Sequence, residues 1–356
     1  MKCVLKWLVP ALVVFTAVQP RAAIIDGQHY ISLEGWARSE GLHTTWLAAR
    51  EVQVSGRAGR MVLAINSADA EIDGVHVRLS YPLAGARGDA LISVLDLDTT
   101  VRPLLFVRRA PDDPVRTICL DPGHGGRDTG NRVHDGSWRN EKTYTLALAL
   151  ELRRQLRAAG FRVILTRNRD VYVPLPERPA MANNAGADLF ISLHFNATTM
   201  DRRGVEGPET YCITPIGAPS SNAQGETGND GPTAQNQFGG SGLLLAFEME
   251  KSLVQNLHVP DRGVRHARYA VLRDARMPAI LIEGGYMTHP IEGPRIFSAA
   301  YRGQMAAAMV KGILGYEKLI GAVSAPAPLT GPHPKPQPVL VREPLLRFSS
   351  PRNSGD

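Results

Sequence analysis

The chain has 356 residues, 44% of them hydrophobic, and 40 Lys and Arg against 34 Asp and Glu give it a net charge of +6. That length suits about two domains, that apolar fraction excludes wholesale disorder, and no run of about 18 uncharged apolar residues after the N-terminus argues for a multispanning membrane protein. Nucleic acid is not an expected partner, because +3 of the charge sits in residues 1–23 and +2 in residues 321–356, whereas such binding needs a clustered basic face.

Lys2 and Lys6 precede the apolar stretch Leu8 to Val18, and Ala22 and Ala23 follow it. This order predicts a signal peptide over residues 1–23. An uncleaved anchor is the alternative, since Pro20 and Arg21 intervene and no Ala-x-Ala triplet is present. Cys3 lies ahead of the apolar run, which argues against lipidation. The mature chain then holds Cys119 and Cys212, both in apolar, strand-like runs. A disulfide and two buried free thiols are both open.

Residues 24–110 read as short strands and turns, a small β-rich domain. Tyr30 to Leu33 is strand-like and leads into a short helix, Trp36 to Ser39. Val52 to Val54, Met61 to Ile65 and Val75 to Leu79 are short apolar or alternating runs. Asp73-Gly74 marks a two-residue hairpin turn. Ala90 to Ser93 with Leu95 to Leu97 echoes the Tyr30–Trp36 unit. The segment resembles the small β domain near the N-terminus of copper amine oxidases, and a spacer or binding role is expected of it. The resemblance implies no copper here.

A linker is expected at Arg109 to Pro114. The catalytic domain is expected over residues 111–320, where strands and helices alternate. The strands are Arg116–Leu120, Phe161–Leu165, Asp188–His194, Val205–Ile213 and Ala279–Ile282. The helices are Lys142–Leu156, Arg178–Ala185, Leu243–Leu257 and Phe297–Tyr316. This alternation predicts an α/β fold, a largely parallel sheet flanked by helices. Residues 215–242 are rich in Gly, Asn, Ser, Gln and Pro and read as a long loop. The Pro-rich tail 321–356 reads as unfolded.

The strongest local signal is Asp121-Pro122-Gly123-His124-Gly125-Gly126, directly after the first strand of that domain. Catalytic groups in such sheets collect beyond the carboxyl ends of strands. His194 and Glu283 end two further strands, and Glu141 opens a long helix. Each has a plain structural reading. A strand-end His is usually structural, and a Glu at a helix start suits the dipole. Glu283 is odder, since an unpartnered carboxylate in a buried strand is costly. Two His and one Glu are a common catalytic zinc set, with a further carboxylate to carry protons. The scattered spacing alone does not specify a zinc site.

Residues 116–316 resemble the zinc-dependent N-acetylmuramoyl-L-alanine amidases of the bacterial cell wall (amidase type 3). The matching stretches, in family order, include Ile118–Gly126, Asn140–Leu150, Val163–Arg167, Ala187–Ala197, Gly263–Arg273 and Met277–Met287. The resemblance implies one zinc per chain on His124, Glu141 and His194, with Glu283 as the catalytic carboxylate. It implies cleavage between N-acetylmuramic acid and L-alanine of peptidoglycan. Arg178 and Asn196 are candidates for substrate positioning or bracing. His134 is the best decoy ligand; His29, His43, His76, His258, His266 and His333 are expected on surfaces or in turns, and His289 receives no role. Relatives can block their sites with an inserted segment, so loop 215–242 admits a protein activator as partner. A monomer is expected, and the absence of wall-binding repeats favours the periplasm. Two rivals stand: a zinc peptidase or amidase on another wall bond, and a non-catalytic wall-binding protein.

Overall fold

The computed structural model describes residues 22–321 except 87–88, 108–113, 135 and 223–230. Most of the leader, most of the linker, the middle of loop 215–242, His333 and the Pro-rich tail lie outside the described residues. Ala22 and Ala23, the small residues of the expected cleavage region, form the start of the first strand.

The N-terminal region holds β1 (Ala22–Ile25), β2 (Gln28–Ser32), α1 (Leu33–Ser39), β3 (His43–Trp46), β4 (Glu51–Gly56), β5 (Gly59–Ala64), β6 (Asp69–Ile72), β7 (Val75–Arg78), β8 (Ala84–Ala86) and β9 (Asp89–Ser93). A helical segment follows, α2 (Val94–Asp96), which passes through a π turn at Leu97–Val101 into α3 (Arg102–Leu105). The internal echo has a local cause. Ser32 ends β2 and accepts the Gly35 N–H; Ser93 ends β9 and accepts the Asp96 N–H. Each serine stops a strand and caps a helix. Asp73 (φ 44°) and Gly74 (φ 81°) form the tight turn between β6 and β7.

The second region holds β10 (Thr117–Pro122), β11 (Arg132–His134), β12 (Trp138–Asn140), α4 (Glu141–Ala158), β13 (Arg162–Leu165), α5 (Glu177–Asn184), β14 (Leu189–Asn196), β15 (Glu209–Ile213), α6 (Gly239–Leu257), β16 (Val264–Ala267), α7 (Ala270–Arg273), β17 (Ala279–Tyr286), α8 (Glu292–Phe297) and α9 (Ala299–Ile320). The sheet order is β13-β10-β14-β17-β15-β16-β7-β6-β5-β4-β3. The pairs from β13 to β17 are parallel, β15 runs antiparallel to β17, and β16 is parallel to β15 and to β7. This is the expected mixed α/β fold with a mainly parallel sheet. The antiparallel N-terminal strands extend that sheet through β7, rather than standing apart from it.

Successive strand residues serve two faces. Ile118, Leu120, Ile191, Leu193, Ile280 and Ile282 pack with the α4, α6 and α9 side chains. Cys119, Phe190, Ala279 and Leu281 pack with Ala182 of α5 and Val271 and Leu272 of α7. Cys119 and Cys212 are free and buried, on strands separated by two others, and burial pushes both thiols up to about 12.

Three expectations change. Loop 215–242 ends early: a 3₁₀ turn at Ala234–Phe238 runs into α6, which starts at Gly239. The helix forms despite the weak helix propensity of these glycines, because the apolar residues that follow, Leu243, Leu245, Ala246 and Met249, are buried. Strand β16 and helix α7 were not foreseen, their charged and short runs hiding the period. His266, expected on a surface, is 2% exposed in β16, and burial lowers it to about 4.

Candidate active site

Alternation also builds the site. Asp121, Ser192, His194, Glu283 and Glu209 share the face covered by α5 and α7. In register, Asp121 pairs with Ser192, His194 with Glu283, and Glu283 with Glu209. His194, Glu283 and Glu209 thus form a row across three strands at the carboxyl rim. Glu141 joins from the start of α4, and His124 from the turn after β10.

His124 Nδ1 lies 2.9 Å from Asp128 Oδ2, and its Nε2 lies 3.0 Å from Glu141 Oε2. His194 Nδ1 lies 3.0 Å from Glu141 Oε1. One ligand atom from each of His124, Glu141 and His194 falls within 4.8 Å of the others. If Nδ1–H of His124 donates to Asp128, a bare Nε2 lone pair faces a carboxylate oxygen. That arrangement calls for a positive charge between them, a proton or a metal ion. Burial opposes charge on His124, but Glu141 and Asp128 outweigh it and raise its pKa. Burial likewise opposes charge on Glu141, and the two histidines outweigh it and hold the carboxyl far below its usual range. The donor set and its closeness fit a divalent metal.

The backbone cradles the cluster. Asn131 N–H donates to Glu141 Oε2 at 2.8 Å, and Phe195 N–H to Oε1 at 3.1 Å. A Cβ at Gly123 would overlap the His194 ring, and one at Gly130 (φ 62°) would collide with His124 and Glu141. His124 itself has φ 62°, strain kept only where surroundings over-determine it. Arg178 supplies much of that determination. Its guanidinium donates to Asp121 Oδ1 (2.8 Å) and to the carbonyls of Pro122 (3.0 Å), His124 (2.9 Å) and Val173 (3.1 Å). All of these bonds run to the protein's own carboxylate and carbonyl oxygens.

Glu283 Oε2 is buried and accepts no hydrogen bond. Burial, then Glu141, then Glu209 push its pKa well above the ordinary value. Asn196 does not reach the His–Glu–His cluster; its Nδ2 donates to Glu209 Oε1 at 2.6 Å. His134 stays outside the cluster, edge-on to Trp138. His289 Nδ1 accepts the Glu292 N–H at 3.0 Å, a structural task.

Sequence reasoning missed three contributors. Arg167 donates to the carbonyls of Pro122 (2.9 Å), Gly123 (2.8 Å) and Lys142 (2.9 Å). Asp128 orients His124. Glu209 is clamped by Asn196, by Tyr211 OH at 3.1 Å and by Arg265 Nε at 2.9 Å. The signal available for Glu209 was the one used for Glu283, a carboxylate inside an apolar strand.

The family model for N-acetylmuramoyl-L-alanine amidases matches residues 118–315, more than half of the chain. The chain belongs to this family. Among the amidase relatives, AmiC of Neisseria meningitidis serogroup B is 33% identical over 220 residues, covering 56% of this chain and 52% of its own length. AmiA of Escherichia coli is 31% identical over 225 residues, covering 56% of this chain and 76% of its own. LytC of Bacillus subtilis is 32% identical over 200 residues, with 56% of this chain and 35% of LytC covered. The chain thus spans about half of the first relative and about a third of the last. The amidase structure from Clostridium difficile 630 is 32% identical with TM-score 0.48, covering 58% of this chain and 98% of that one. The amidase match begins after the N-terminal region, so β1 to β9 lie outside it.

Proposed function

We propose that this chain is a zinc-dependent hydrolase that cleaves the amide between the lactyl group of N-acetylmuramic acid and L-alanine of peptidoglycan. The observation that carries the reading is the His124–Glu141–His194 cluster beside Glu283, in a chain of the amidase family. Zinc bound there would supply an acidified water and polarise the scissile carbonyl. His124, Glu141 and His194 would hold it, with Asp128 orienting His124. Glu283 Oε2 is free to take a proton from the attacking water and return it to the leaving nitrogen. Burial among carboxylates makes its protonated form easy to reach. A peptidoglycan substrate would call for secretion across the inner membrane, and the periplasm is the compartment this reading assigns.

The test is product analysis on purified peptidoglycan. Released stem peptides should carry a free L-alanine amine, and a chelator should abolish their release. Products cut at any other bond would overturn the reading. A second expectation concerns the cradle. Gly130→Ala should weaken zinc binding about 10- to 100-fold, the scale of supporting residues around a metal, measured by competition with a chromogenic chelator. An unchanged affinity would show that the collision at Gly130 is relieved without moving the ligands.

A further inference from the structure

Eleven large apolar side chains are exposed among the described residues, and five of them lie on the segments that follow β10, β13, β14 and β17. Trp138, Tyr172, Leu175, Met200 and Ile291 all stand on connections at the carboxyl rim of the sheet. Exposed apolar residues scattered singly need no explanation, but a concentration at one rim does.

The two aromatic members share a construction. The guanidinium carbon of Arg132 lies 4.1 Å from the Trp138 ring centroid, and that of Arg127 lies 4.3 Å from the Tyr172 centroid. An arginine thus occupies one face of each ring, yet Trp138 remains 58% exposed and Tyr172 40%. The segments that carry these two residues are tied to the elements that carry the cluster. Tyr172 packs against Gly126, whose N–H donates to Asp170 at 2.7 Å. Trp138 rides on the β11–β12 hairpin, and Asn131, at its base, donates to Glu141 and, at 2.9 Å, to the Phe195 carbonyl. On that hairpin Trp138 pairs with His134, while Val133, on the alternate face, packs against the core. Trp138 therefore points away from the core, three residues before Glu141, roughly 10 Å along an extended chain.

Resting on the amidase reading above, we propose that Trp138 and Tyr172 are paired stacking platforms for hexopyranose rings of the glycan strand. A pyranose presents a flat face of C–H groups that suits an aromatic face, while its hydroxyls reach polar groups at the ring edge. Arg132 and Arg127 cover one face of Trp138 and of Tyr172 and leave the other face of each ring for the sugar. The arginines also disfavour a cationic ligand, because each ring's attraction for cations is already engaged. A neutral sugar face fits the remaining surface.

The test uses the full chain carrying Glu283→Gln, loaded with zinc, and titrated with peptide-free glycan strands. Trp138→Ala and Tyr172→Ala should each weaken binding about 3- to 10-fold, the scale of one aromatic pairing, and the double variant should lose more. Trp138→Phe should keep most of the binding. Trp46→Ala, an exposed tryptophan on β3, should bind like the parent. No glycan binding by the parent, unchanged binding in the double variant, or an equal loss from Trp46→Ala would overturn the platform. The two readings fail separately. Glycan binding that depends on both rings, with no stem-peptide release by the wild-type chain, removes the amidase reading alone. Stem-peptide release with an unchanged KM in the double variant removes the platform alone.

Discussion

Glu283→Gln is expected to keep zinc at one per chain and to lose at least about 100-fold in kcat, the scale of general acid–base catalysis. Gln preserves the shape of the side chain but cannot accept and return a proton at the Oε2 position. Stability should move the other way. Glu283 Oε2 is buried without a partner, and burial, Glu141 and Glu209 raise the pKa well above 4.5. A carboxyl whose folded pKa is raised favours folding below its unfolded pKa, and that contribution is lost as pH rises through the folded value. At neutral pH, in chelator-treated protein, the Gln variant should therefore melt higher than the parent. The gain should shrink as pH falls toward the ordinary carboxylate range. A variant that loses activity while gaining stability is hard to explain as a folding defect. Normal turnover by Glu283→Gln would falsify the assigned role.

The row of strand-end residues was legible because parallel strands in an α/β sheet finish at one rim, so each strand's last polar residue is a candidate. His124, His194 and Glu283 were found that way, and Glu141 by its place at a helix start. What the sequence hid is what depends on pairing across the sheet. Nothing local says that Glu209 lies opposite Glu283, because β15 runs antiparallel within a mainly parallel sheet. The join at β7 and β16 is equally silent, resting on the single register pair Val264–Val77. His266 was misplaced for the same reason. A four-residue strand with Arg and His in it reads as a turn until a neighbour covers it. The arginines were hardest. Arg167 and Arg178 lie far from His124 in sequence, and only the fold brings both guanidinium groups onto one turn.

That convergence makes Arg178 the second position with a large expected effect. Arg178 is 2% exposed and Asp121 fully buried, so the pair lies in the interior. Asp121 also accepts from Thr166 (2.6 Å) and Ser192 (2.8 Å), which satisfy its oxygens but not its charge. Arg178→Met should therefore cost about 3–5 kcal/mol in unfolding free energy, the scale of a buried pair stripped of one partner. Arg178→Lys separates charge from geometry. An ammonium can still neutralise Asp121, but one compact head cannot reach the carbonyls of Pro122, His124 and Val173 together as the planar guanidinium does. The Lys variant should recover much of the stability, measured by urea unfolding, while zinc affinity stays about 10- to 100-fold below the parent. The reason is the strained φ of 62° at His124, whose carbonyl Arg178 holds and whose ring must meet Glu141. If Arg178→Lys binds zinc as tightly as the parent, Arg178 serves only to neutralise Asp121, and the turn must hold His124 through Arg167 and the reciprocal Gly125–Asp128 backbone bonds instead.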